Sequence, residues 1–137
     1  MKAMKSLTLC ILEEPYVVCR LPADAPLPTW AADSPFLSIT RTGDELSLVC
    51  AERYMVPGVQ AERGWRVLQV AGPLDFGLIG VIARLADTLA AAKVSVFVIS
   101  TYDTDYILVK EDRLTDAVRA LEGAGHRVKE ETGGLGE

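Results

Sequence analysis

SVFVISTYDTDYILVK, residues Ser95 to Lys110, holds two apolar runs around an acidic middle. The ends, SVFVIS and YILVK, are rich in the β-branched and aromatic side chains that pack on a pleated, buried surface, so each reads as a strand. A tight hairpin tip favours Asn-Gly or Asp-Gly. This one contains no glycine, and it carries Asp103 and Asp105 two residues apart.

On either side of the hairpin the hydrophobic period lengthens to that of a helix. From Phe76 to Ala92, Leu78, Ile82, Leu85 and Leu89 recur at helical spacing, with Ile79 and Ala86 widening the stripe. Asp75, behind Pro73, stands where an N-cap belongs. After the hairpin, EDRLTDAVRALEGAG places Leu114, Ala117, Val118 and Leu121 on one face. Asp112 is the expected cap there, and Gly123 or Gly125 the expected stop. WRVLQVAG, from Trp65, and HRVKE, from His126, read as the first and last strands of the series. The order β-α-β-β-α-β is the split βαβ arrangement of the ferredoxin-like class, an α+β fold. Both helices on one sheet face leave the other to be covered by the first half or by a second subunit. TGGLGE reads as a loose tail.

The first half is β-rich. LTLCIL and YVVCRL flank EEPY, which predicts a hairpin from Leu7 to Leu21. Pro22, Pro26 and Pro28 interrupt any ladder in the excursion that follows, and Trp30 opens at most one helical turn. FLSITRTGDELSLVCAE predicts a second hairpin, with Gly43 supplying the permissive turn backbone. The expected division is therefore a β-rich unit over 1–63 and an α+β unit over 64–137.

The chain has 137 residues and a net charge of -5. It has no clustered Lys/Arg surface of the kind that binds phosphates, which argues against a nucleic-acid partner. No run approaches the roughly 20 apolar residues of a membrane span, and MKAMKSLTLCILEE reads as a first strand rather than a secretory leader. Cys10, Cys19 and Cys50 make an odd number without C-x-x-C spacing, which fits buried thiols in a reducing cytoplasm. No metal site or cofactor is expected. His126 is the single histidine and neither G-x-S-x-G nor a phosphate loop occurs, so an enzyme is not expected.

The run GWRVLQVAGPLDFGLIGVIARLADTLAAAKVSVFVISTYDTDYILVKEDRL, Gly64 to Leu114, resembles the ACT-domain superfamily. It is most similar to small bacterial members with a GPLDF loop and an ISTYDTDYILV strand pair, and to the animal cytosolic arginine sensors. The resemblance extends over roughly Phe36 to Arg127, and it makes the β-rich first unit a degenerate ACT-like one. It implies a regulatory module that binds an amino acid or similar effector where two ACT units pack side by side. A homodimer and a regulated protein partner are implied with it. The rival reading is a ligand-free dimerisation or docking module, its pocket closed by Phe76 and Ile79.

Two segments are candidates for the effector. AGPLDFG joins a strand to a helix N-terminus, where free N–H groups attract a carboxylate. That nominates Gly72, Pro73, Leu74, Asp75 and Phe76, although a capped helix accounts for the same residues. Ser95 and Val96 match effector-lining positions of the arginine sensors, and an edge strand there offers unpaired backbone groups. For Asp103 and Asp105, an EF-hand fails for want of further ligands, and a glycosidase pair fails because both carboxylates sit in a solvated turn. Two explanations stay open: Asx turn chemistry, or recognition of an ammonium or guanidinium group.

Overall fold

The computed structural model describes residues 6–71 and 80–131. Strands are β1 (Thr8–Ile11), β2 (Tyr16–Leu21), β3 (Ser38–Arg41), β4 (Leu46–Ala51), β5 (Gln60–Val70), β6 (Phe97–Ser100), β7 (Asp105–Lys110) and β8 (Arg127–Glu130). The helices are α1 (Val81–Ala91) and α2 (Leu114–Gly123). Glu14–Trp65 forms one compact unit, and the described residues on either side of it form the other.

The second of these contains the β-α-β-β-α-β series from β5 to β8, with strand order β6-β7-β5-β1-β8. A strand from the start of the chain thus stands beside β5, where the last strand of such a series would otherwise lie. β1 is antiparallel to β5, with Leu9 opposite Val70, and parallel to β8, with Thr8 opposite Arg127. Alternation supplies the core. Leu7, Leu9 and Ile11, Leu68 and Val70, and Ile107 and Val109 all turn toward the helices. There they meet Val81, Leu85 and Leu89 of α1 and Ala117 and Leu121 of α2, at the four-residue spacing of one helical face.

Glu14–Trp65 has strand order β3-β4-β2-β5, with a register shift in the β2–β5 pairing between Tyr16 and Val18. Its core gathers Val17, Cys19, Ala31, Leu48 and Cys50. The proline-rich excursion contributes one 3-10 turn, Thr29–Ala31, and Arg41 fastens it by donating to the carbonyls of Ala23 and Ala25.

Four sequence expectations are corrected. β1 and β2 do not form a hairpin: both pair with β5, along different parts of it, and β2 also pairs with β4. The backbone through the intervening residues keeps bonding outward, from Leu12 N–H to the Val67 carbonyl and from Glu52 N–H to the Pro15 carbonyl. Helix α1 begins at Val81, not Phe76, and its N-cap is Gly80 rather than Asp75. Gly80 takes φ 80°, a left-handed backbone that interrupts a helix and that glycine adopts without strain. α2 is entered through a 3-10 turn, Glu111–Arg113, so Asp112 is not its cap. The Ser38–Ala51 hairpin is present, but Gly43 is not at positive φ. Its turn is held by Thr42, whose N–H donates to the Glu45 carbonyl at 2.9 Å. The Thr42 hydroxyl accepts from the N–H groups of Asp44 and Glu45 at 3.1 Å and 3.2 Å.

Candidate functional site

The Ser95–Lys110 hairpin is built as its composition predicts, with Phe97 opposite Leu108 and Ser100 opposite Asp105. Its tip repeats the chemistry of the Thr42 turn. Thr101 N–H donates to the Thr104 carbonyl at 2.8 Å. The Thr101 hydroxyl donates to that same carbonyl at 3.0 Å and accepts from Thr104 N–H at 3.3 Å. Threonine, not aspartate, therefore closes the turn, because a hydroxyl both donates and accepts where a carboxylate only accepts. The side chain of Thr104 is buried and donates to the carbonyl of Val70 at 2.6 Å. That bond ties the hairpin tip to the last residue of β5.

The two aspartates separate in role. Asp105 accepts from the Ser100 hydroxyl at 2.6 Å and stabilises the last cross-strand pair. Asp103 is exposed and makes no hydrogen bond among the described residues. Its charge reaches Tyr106, whose phenol is pushed up first by burial and then by that carboxylate. Tyr102 precedes Asp103 in the turn and is 82% exposed.

Ser95 is exposed and Val96 is half-buried against the helix-facing core, both just ahead of β6. The hairpin register puts them at the opposite end of β6 from the Thr101–Asp105 turn. Ser100 is five residues along the chain from Ser95, about 16 Å of extended backbone. Gly72, Pro73, Leu74, Asp75 and Phe76 lie outside the described residues. The residue before them, Ala71, donates its N–H to the Thr8 carbonyl at 2.7 Å, so the chain leaves the sheet at the end occupied by Thr104. One copy of the chain thus places Asp103 and Asp105 near the origin of the Gly72–Phe76 segment, and Ser95 and Val96 far from both aspartates.

β6 is an outer strand, pairing only with β7 among the described residues. Ser95 to Thr101 contains no charge and no proline, and Val98 is exposed. The outer strands β3 and β8 carry arginine, lysine or glutamate, the residues that discourage edge pairing. Sequence reasoning missed Thr101, Thr104 and Ser100. The signal was present in the shared pattern Thr-x-Asp-x of TGDE and TYDT. Among the described residues no cluster of His, Cys, Asp and Glu is arranged to hold a metal ion, and no helix is long and apolar enough to cross a membrane.

The ACT-domain family model matches residues 60–123, the stretch from β5 to the end of α2, so this part of the chain is an ACT domain. A second model, described as an N-terminal domain, matches residues 14–57. The human cytosolic arginine sensor for mTORC1 subunit 1 is 39% identical over 59 residues, which are 42% of this chain and 18% of the sensor. The match therefore spans less than a fifth of that relative's length. Among solved structures, a protein from Agobacterium tumefaciens is 34% identical with a TM-score of 0.88, covering 93% of this chain and 96% of that one. The aspartate kinase of Clostridium acetobutylicum shares the fold at a TM-score of 0.66 and 9% identity, over 87% of this chain and 34% of the kinase.

Proposed function

We propose that the protein is a non-catalytic regulatory module that binds an amino acid at a seam between ACT units of two copies. The observation that carries this reading is the division of the candidate site. Asp103, Asp105 and the origin of the Gly72–Phe76 segment belong to one end of β6–β7, while Ser95 and Val96 belong to the other. A two-fold pairing of β6 edges brings the Ser95–Val96 backbone of one copy toward the aspartate end of the next, which a single copy does not do. The uncharged β6 edge supports such pairing. The effector's carboxylate would meet the Gly72–Phe76 segment ahead of α1, and its positive group Asp103, whose carboxylate accepts no hydrogen bond among the described residues. Residues 64–137 form the effector-binding unit in this reading, and 1–63 the degenerate one. The arginine-sensor relative makes arginine the first effector to try, within a cytoplasmic homodimer that acts on a protein partner.

Sedimentation velocity with and without millimolar arginine tests the seam. The expected result is a dimer strengthened by ligand, and a Val98→Lys chain that sediments as a monomer and no longer responds. A ligand response that survives intact in monomeric Val98→Lys would overturn the seam. A dimer indifferent to every amino acid would favour the docking module.

A further inference from the structure

Leu7 and Thr8 gather three hydrogen bonds at one end of the sheet. Leu7 N–H donates to Nδ1 of His126 at 3.1 Å. The Leu7 carbonyl accepts from Arg127 N–H at 2.8 Å, and the Thr8 carbonyl from Ala71 N–H at 2.7 Å. His126 follows α2 and is 5% exposed, and its own N–H donates to the Leu121 carbonyl at 3.1 Å. Because Nδ1 accepts, the neutral ring carries its proton on Nε2. That nitrogen is buried and has no hydrogen-bond partner among the described residues. Of the charges on the surrounding elements, Arg84 of α1 acts on the ring, and its Nε is likewise buried without a partner. Glu122 of α2 and Arg127 of β8 are exposed. Beside Leu7, the Ser6 hydroxyl donates to the Gly125 carbonyl at 2.7 Å.

We propose that His126 is a proton switch at the effector end of the sheet: a second proton on its ring unfastens Leu7 and, through Thr8, releases Ala71. The ring can take that proton only at Nδ1, the atom to which Leu7 donates, so two donors then face each other and the bond is lost. The imidazolium would also be buried with no acceptor at Nε2 and a guanidinium for its charged neighbour. Local opening to water relieves both. The switch acts below the ordinary imidazole value of about 6.5, because burial first, and then Arg84, favour the neutral ring while this corner is closed. The open corner binds the proton more tightly, so acid favours it. Ala71 leads into the segment assigned above to the effector's carboxylate. On that reading, proton and effector each weaken the binding of the other.

The test is amide hydrogen exchange of the full chain without ligand, expressed as protection factors from pH 7.5 to 5. Alongside it, NMR follows the ring of His126, the single histidine. Protection of Leu7, Arg127 and Ala71 is expected to fall several-fold together, with the midpoint of the ring titration, while β2 and β4 keep theirs. His126→Asn, which does not titrate, should show no such step. A ring that titrates while Leu7 and Ala71 stay protected would overturn the proposal, as would an equal fall in every strand. The unmutated chain decides it even if His126→Asn fails to fold. Calorimetry with arginine at pH 7.5 and 5.5 reads the coupling, and several-fold weaker binding is expected at the lower pH. Equal affinity at both would overturn the coupling. A chain that binds no arginine at either pH would sink the effector reading alone, because the exchange data need no ligand.

Discussion

Thr101 and Thr42 play the same part in two hairpins: one hydroxyl closes a four-residue turn that has Asp at its third position. The acidic middle that makes Ser95–Lys110 conspicuous is thus mostly framework. Thr104 carries the greater structural weight, because its hydroxyl is the buried donor to the Val70 carbonyl. Thr104→Val keeps the shape and removes the donor. It is expected to cost about 1–3 kcal/mol, the usual penalty for stranding a buried polar group, read by urea denaturation. His126 is another buried residue whose polar atom holds the backbone. Its Nδ1 accepts Leu7 N–H at 3.1 Å, which anchors the start of β1. Burial, and then the Arg84 guanidinium, hold its pKa below the ordinary value. The unfolded chain therefore binds this proton more readily than the folded one. The stabilisation is fully present above the unfolded value of about 6.5 and is lost as pH falls from there through the folded pKa. Unfolding free energies of the wild type and His126→Asn between pH 7.5 and 5 should converge as the pH drops. Parallel profiles would contradict the assignment.

Both helices end in the same way. In α1, Val94 N–H reaches the Leu89 carbonyl and Lys93 N–H the Ala90 carbonyl; in α2, His126 N–H reaches Leu121 and Gly125 N–H reaches Glu122. These are Schellman closures, which need a left-handed residue. Gly125 supplies it in α2, but α1 uses Lys93 at φ 63°. Lys93→Gly is expected to raise stability by about 0.5–1 kcal/mol, the left-handed strain relieved less the added entropy of glycine. An unchanged denaturation midpoint would argue that the Lys93 side chain contributes as much as its backbone costs. Leu85, 0% exposed at the centre of α1, should cost about 2–5 kcal/mol as Leu85→Ala. Helix periods were legible because Leu85, Leu89, Ala117 and Leu121 repeat at one face. Helix starts were not, since the apolar stripe runs through Gly80 without regard to its backbone angle. Asp75 and Asp112 look like caps by type alone, while the caps are set by backbone conformation.

At the scale of the molecule, the β-α-β-β-α-β series could be read from sequence because each element buries one face against its neighbours in the series. The place of β1 could not. LTLCIL and YVVCRL are equally strand-like, and adjacency in sequence favours a hairpin, whereas pairing to β5 and β8 depends on partners far along the chain. Of the candidate site, the sequence offered Asp103, Asp105, Ser95 and Val96 as residues, but not that one copy holds them apart, which is a consequence of register. That separation makes effector binding at a seam testable. The most direct measurement is a thermal-denaturation panel of the twenty amino acids at millimolar concentration. A ligand at about a hundred times its dissociation constant adds roughly 2.7 kcal/mol. One clear responder is predicted, its shift abolished by Asp103→Asn. A panel with no shift for any amino acid would contradict effector binding.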